Sequence, residues 1–151
     1  VIDGYKSGTS TIFLFKSDAK KAYRTVLAEK SGLLFYRSYS STFIPYNSDK
    51  IQTVGGMSVT TENTEVSFLS IVSNDEKVAY IEAGEEPDVE RKKVKKGERI
   101  SFLFPYSMQI DFLNAKAYDQ NGNALYYYGY PKGTTIFSPE DLKWHKINEE
   151  L

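Results

Sequence analysis

Ala117-Tyr118-Asp119-Gln120-Asn121-Gly122-Asn123-Ala124-Leu125-Tyr126-Tyr127-Tyr128-Gly129-Tyr130, written AYDQNGNALYYYGY, reads as a β-hairpin with four tyrosines in five positions of its second arm. Its turn admits two registers. A two-residue loop on Asn121-Gly122 sets Tyr118 opposite Leu125. A type I turn over Asp119–Gly122, with Gly122 left-handed as a bulge, sets Ala117 opposite Leu125 and Ala115 opposite Tyr127. A slip of one residue moves a whole set of side chains to the other face. The bulged register is the expected one. It puts Leu113, Ala115, Ala117, Leu125 and Tyr127 on a core face. It leaves Lys116, Tyr118, Tyr126, Tyr128 and Tyr130 beside Asn114 on a solvent face.

Strand signals extend outward from this hairpin. Ile100, Phe102 and Phe104 alternate with polar neighbours after Gly97. Thr64–Ser73 alternates through Val66, Phe68, Ser70 and Val72. Asn74-Asp75-Glu76-Lys77 reads as a turn, and Val78–Ala83 as the return strand of a hairpin. Earlier come Thr11–Phe15 and the aromatic-rich segments Leu33–Tyr39 and Ser41–Tyr46. Gly55-Gly56 reads as a break in the chain, and as a candidate seam between subdomains.

Two segments read as helices. Ala19, Ala22, Tyr23, Val26 and Leu27 follow helical spacing, with Ser17 or Asp18 to cap the start and Gly32 to close the end. Ser138-Pro139-Glu140-Asp141 offers a cap, a first-turn proline and acids, ahead of Leu142, Trp144 and Ile147. The expected fold class is therefore mainly β, of α+β type. It is an antiparallel β-sandwich with an N-terminal amphipathic helix near residues 18–31 and a short C-terminal helix near 139–147. One domain is expected over residues 1–151: a strand-helix-strand elaboration at 1–60, the sheet core at 61–137, and the terminal helix at 138–151.

Composition narrows the function classes. A net charge of −1 lacks the basic excess that phosphate neutralisation requires, so no nucleic-acid partner is expected. The absence of cysteine excludes disulfides, thiolate nucleophiles and Cys-based metal sites. His145 is the only histidine and sits next to Trp144, where packing or a surface role is expected. No metal and no cofactor are expected. Asp119-Gln120-Asn121-Gly122-Asn123 superficially resembles a calcium loop. Its glycine comes fourth rather than sixth, and Tyr130 stands where the closing acid belongs.

The tyrosine arm carries the functional signal. Tyrosine combines a large flat area, a hydroxyl and little rotamer entropy, which suits recognition surfaces. Tyr118, Tyr126, Tyr128 and Tyr130, with Lys116, are the binding candidates for a glycan or a protein partner. The competing expectation is ordinary cross-strand packing. Tyr36 and Tyr39 could extend the same patch. In Glu85–Lys96 the charge switches from acid to base. There Lys92, Lys93 and Lys95 are a second candidate, against the plainer expectation of a solvated edge strand.

The run FLNAKAYDQNGNALYYYGY resembles the late hairpin of immunoglobulin-like β-sandwiches. The whole chain more loosely resembles the small cysteine-free extracytoplasmic domains of Gram-positive bacterial membrane proteins and lipoproteins. The Cys/Trp/Cys core of antibody domains is absent. The resemblance implies a non-catalytic, extracytoplasmic binding or interaction module, linked to a membrane only through a segment outside this chain. It transfers no functional residues. The alternatives are a small carboxylate-dependent hydrolase, a structural spacer or self-assembly domain, and a cytoplasmic setting.

Overall fold

The computed structural model describes residues 1–31, 35–41, 43–133 and 135–147. They form antiparallel strands in three sheets. The first sheet, in the order β1-β2-β3-β4, contains Asp3–Ser7, Ser10–Ser17, Ala22–Ser31 and Phe35–Ser40, and β5 (Ile44–Pro45) also pairs with β3. The second, in the order β10-β7-β6, contains Arg99–Phe104, Glu65–Ser73 and Ile51–Thr60. The third, in the order β13-β12-β11-β8-β9, contains Lys143–Lys146, Ala124–Gly129, Lys116–Tyr118, Tyr80–Ala83 and Glu90–Lys93.

The three-stranded sheet lies in the middle and is apolar on both faces. Val66 and Phe68 of β7, with Met57 and Val59 of β6, pack against Ile12 and Leu27 of the first sheet. Leu69 and Ile71 point the other way. They join Ile100, Phe102 and Phe104 of β10 against Ile81, Ala115, Ala117, Tyr128 and Trp144 of the third sheet. A strand between two layers is buried on both faces, and β7 (EVSFLSIVS) is buried at seven of its nine positions, its three serines included. Each fully buried apolar side chain contributes about 1.5–3 kcal/mol.

Gly55-Gly56 is not a break. The pair sits inside β6 beside a bulge, where the register shifts between Thr53 and Gly55. A Cβ on Gly55 would stand 2.8 Å from Leu14 Cδ1 and 3.1 Å from Phe68 Cε2. One on Gly56 would stand 2.7 Å from Ile110 Cδ1. The glycines let neighbouring layers close onto the central sheet.

Both expected helices are corrected, since no helix of seven or more residues occurs among the described residues. Residues 18–21 turn the chain, and Ala22–Ser31 is strand β3, paired with β2 and β4. Its inward positions are Thr25, Leu27 and Glu29, all buried. Two of these three are polar, which hid the period-2 alternation and let the helical spacing of the apolar residues dominate. Each polar group is satisfied. Thr25 Oγ1 accepts from the Gly56 N–H at 3.2 Å, and Glu29 accepts from Thr61 at 2.6 Å and Asn63 at 3.3 Å. Gly32, expected to close the helix, and Leu33, expected to start a strand, lie outside the described residues.

At the other end only a three-residue 3-10 turn, Pro139–Asp141, forms. The chain then runs extended as β13 beside β12, with Trp144 opposite Tyr128. The proline and acids started a turn, but strand pairing captured the residues after it. Thr64–Ser73 and Val78–Ala83 do not form a hairpin either. β7 pairs with β6 and β10, while β8 pairs with β9 and β11, so the chain crosses from the central sheet to the third.

A candidate binding cleft behind the tyrosine strand

The tyrosine hairpin uses both registers. Next to its turn Tyr118 pairs with Ala124, as the bulged turn requires. Asp119 holds that turn by accepting from the N–H groups of Asn121 and Asn123, both at 2.9 Å. A second irregularity follows, and beyond it Ala117 pairs with Tyr126 and Lys116 with Tyr127. The shift exchanges faces. Tyr126 and Tyr128 now lie with Ala117 and Ala115 toward the core, and Tyr127 faces outward with Lys116. This corrects the expected grouping of Tyr118, Tyr126, Tyr128 and Tyr130 on one solvent face. Tyr128 is only 6% exposed. Burial pushes its hydroxyl well above the usual tyrosine range. Tyr126 is pushed up to about 12, first by desolvation and then by its 2.7 Å hydrogen bond to Asp75.

The outer face of the third sheet is aromatic, but its rings are occupied by neighbours. Tyr118 stacks on Tyr80, centroids 5.0 Å apart, and the Arg91 guanidinium lies 4.3 Å from the Tyr80 centroid. Arg91 also pairs with Glu82 at 2.6 Å. Tyr127 stacks on His145 at 5.2 Å and carries Lys132 Nζ 5.1 Å from its centroid. These ladders are cross-strand packing of the ordinary kind.

A cleft of about 740 Å³ opens on the other side of the strand, a size suited to a small ligand. One wall is the Phe43–Thr53 segment through β5 and the start of β6. The other is Tyr130, the Pro139–Asp141 turn and the start of β13. Tyr128 and Trp144 line its floor. Trp144 is the single tryptophan of the chain and is 7% exposed. Apolar rings reach the rim. Phe43 is 43% exposed, and Phe137, 62% exposed, meets Tyr130 edge-on at 5.0 Å.

Fixed polar groups line this apolar space. Gln52 Nε2 donates to the carbonyls of Asn47 at 2.9 Å and Asp49 at 3.1 Å, which sets its amide oxygen as an acceptor. Asn47 Oδ1 accepts from the Asp49 N–H at 2.9 Å, leaving its side-chain NH2 as a donor. On the opposite wall, a hydrogen bond from Ser138, then one from its own backbone N–H, lowers Glu140 below the usual carboxylate value. Glu140 therefore stays ionised and accepts hydrogen bonds. His145 holds that wall in place. Its Nε2 lies 2.9 Å from both Gly129 O and Asp141 O, and since carbonyls only accept, this nitrogen carries the proton.

Of the sequence candidates, the fold brings Tyr128 and Tyr130 into the cleft and leaves Lys116 and Tyr118 on the outer face. Tyr36 stands exposed on β4, and Tyr39 packs against the first core and lines a second groove that shares Gly56 and Ile110 with the cleft. Lys92 lies at the sheet edge with Nζ 5.6 Å from the Phe102 centroid, while Lys93 and Lys95 are exposed. β9 is an edge strand of the third sheet, as the lysine run suggested. Asn47 and Gln52 carry no sequence pattern beyond the Asn47-Ser48-Asp49 turn chemistry, and Glu140 reads in the sequence only as a first-turn acid of the expected C-terminal helix. Among the described residues no group of three or more His, Cys, Asp or Glu is placed to hold a metal ion, and no helix is long and apolar enough to cross a membrane. No family model, no curated protein and no solved structure matches the chain.

Proposed function

We propose that the chain is a non-catalytic binding module that takes a neutral glycan in the aromatic cleft. The observation that carries this is the convergence of aromatic walls with fixed acceptors in one cavity. Tyr130 offers apolar ring area to the C–H face of a sugar, while the Phe43 ring is already covered by Lys20 Nζ and the Arg24 guanidinium, each 4.8 Å from its centroid. The Gln52 amide oxygen and the Glu140 carboxylate accept from sugar hydroxyls, and the Asn47 amide donates. Two carboxylates, Asp49 and Glu140, line the cleft against one amine, Lys143, which disfavours an anionic ligand. The same pair is what a carboxylate hydrolase would need. A general acid, however, needs a raised pKa, and Glu140 moves the other way.

Trp144 makes the test direct, because the only indole of the chain lies on the cleft floor. Titration with a panel of neutral oligosaccharides should shift its fluorescence saturably. Tyr130→Ala and Gln52→Ala should each weaken the response about 10-fold, in line with losing one ring stack or one fixed hydrogen bond. No response across the panel, or equal binding by both variants, would remove the glycan. Release of reducing ends would move the assignment to the hydrolase.

A further inference from the structure

A second recess runs along the free edge of β6. It encloses about 550 Å³ and is lined by five consecutive residues of that strand, Gly56–Thr60. Tyr39–Ser41 at the end of β4 form one bank and Gln109–Asp111 the other. β6 ends the central sheet, so only its β7 side carries a ladder. The Gly56 N–H points away from β7, to Thr25 Oγ1. Antiparallel alternation then sends the N–H and C=O groups of Ser58 and Thr60 the same way, into the recess. Among the described residues these groups have no main-chain partner there. Across the recess, the Ser41 N–H bonds inward to Thr25 O, so the main chain of Ser40 faces outward into the same space.

We infer that this recess takes an extended segment of a partner protein, added beside β6 as a fourth strand of the central sheet. The chemistry of the edge names the occupant. Donors and acceptors repeating every second residue, about 6.6–6.8 Å apart, match another extended backbone. The small residues Ser40, Ser41, Gly56 and Ser58 leave room for one. The banks admit a single strand more readily than the broad edge of a second copy of the chain. Asp111 is the only charged residue lining the recess and forms no ion pair among the described residues. The segment therefore carries a lysine or arginine that reaches Asp111.

The recess shares Gly56 and Ile110 with the glycan cleft, but Thr60 and Asp111 line only the recess and Gln52 and Tyr130 only the cleft, so the variants test the two assignments independently. Peptides selected from a random display library against the whole chain supply the probe. Selected peptides should be rich in Lys or Arg and should shift the amide resonances of residues 56–60. Thr60→Pro removes an N–H that the β7 ladder does not use, so the fold should survive while peptide affinity falls at least 10-fold. Asp111→Asn should weaken binding about 5-fold and flatten its salt dependence. N-methylating alternate peptide amides should abolish binding without touching the protein. Failure to select any peptide, equal affinity for Thr60→Pro and wild type, or indifference to N-methylation would each overturn the assignment. Concentration-dependent dimerisation lost in Thr60→Pro would overturn it in favour of a second copy.

Discussion

Trp144 Nε1 donates to Thr53 Oγ1 at 2.9 Å, tying the outer edge of the third sheet to the central one at the floor of the cleft. Both residues are buried. Trp144→Phe keeps most of the ring and removes the donor. It should cost about 1 kcal/mol, the usual net value of one hydrogen bond. Trp144→Ala also empties the site and should cost about 3–5 kcal/mol. Urea unfolding followed by circular dichroism measures both, since the fluorescent probe is lost.

The two glycines of β6 should differ. In Gly55→Ala the new methyl meets Leu14, Phe68 and Thr25 at 2.8–3.2 Å, from three elements at once. In Gly56→Ala it presses chiefly on the flexible end of Ile110. Gly55→Ala should lose about 1–3 kcal/mol, the common cost of overpacking, and Gly56→Ala less. Equal costs would mean that the layers do not close onto Gly55 as described.

Alkaline stability should reflect the inward tyrosines. Tyr126 is pushed up to about 12 in the folded protein, against about 10 for a free tyrosine. The folded state thus holds its proton after the unfolded chain has released it. Stability is full below about pH 10 and declines as pH rises toward 12. Tyr126→Phe should lessen that decline, which urea midpoints at pH 8 and pH 11 can measure. An unchanged slope would count against the Tyr126–Asp75 bond.

Nitration should follow the corrected faces. Tyr36, 71% exposed, should react early, and Tyr128 should stay protected until the protein unfolds. Peptide mapping by mass spectrometry reads each site. Fast nitration of Tyr128 in the folded protein would restore the register in which it faces solvent.

His145→Ala removes the donor shared by Gly129 O and Asp141 O. The Pro139–Asp141 turn should loosen, and the amide hydrogens of Asp141 and Leu142 should exchange faster. Amides in β7 should not change, because that strand lies in the central sheet. The experiment needs no ligand, so it tests the cleft wall apart from what the cleft binds.

Antiparallel strands and the exclusion of cysteine chemistry are legible in the residues alone, but the two helices read from the same residues do not form among the described residues. The alternation in Ile100–Phe104 and the Asp119–Gly122 turn, with Gly122 left-handed, are local signals of period and turn chemistry, and they hold. Tertiary structure decided the rest. Thr25 and Glu29 became inward strand positions because Gly56, Thr61 and Asn63 supply their hydrogen bonds, and those partners lie more than thirty residues away. Tyr126 and Tyr128 turned inward because one irregularity after Ala124 shifts every later side chain to the opposite face. The cleft joins residues 43–53 to residues 128–144 across the packing of the three sheets. No spacing along the chain encodes that meeting, because it depends on how the finished sheets stack.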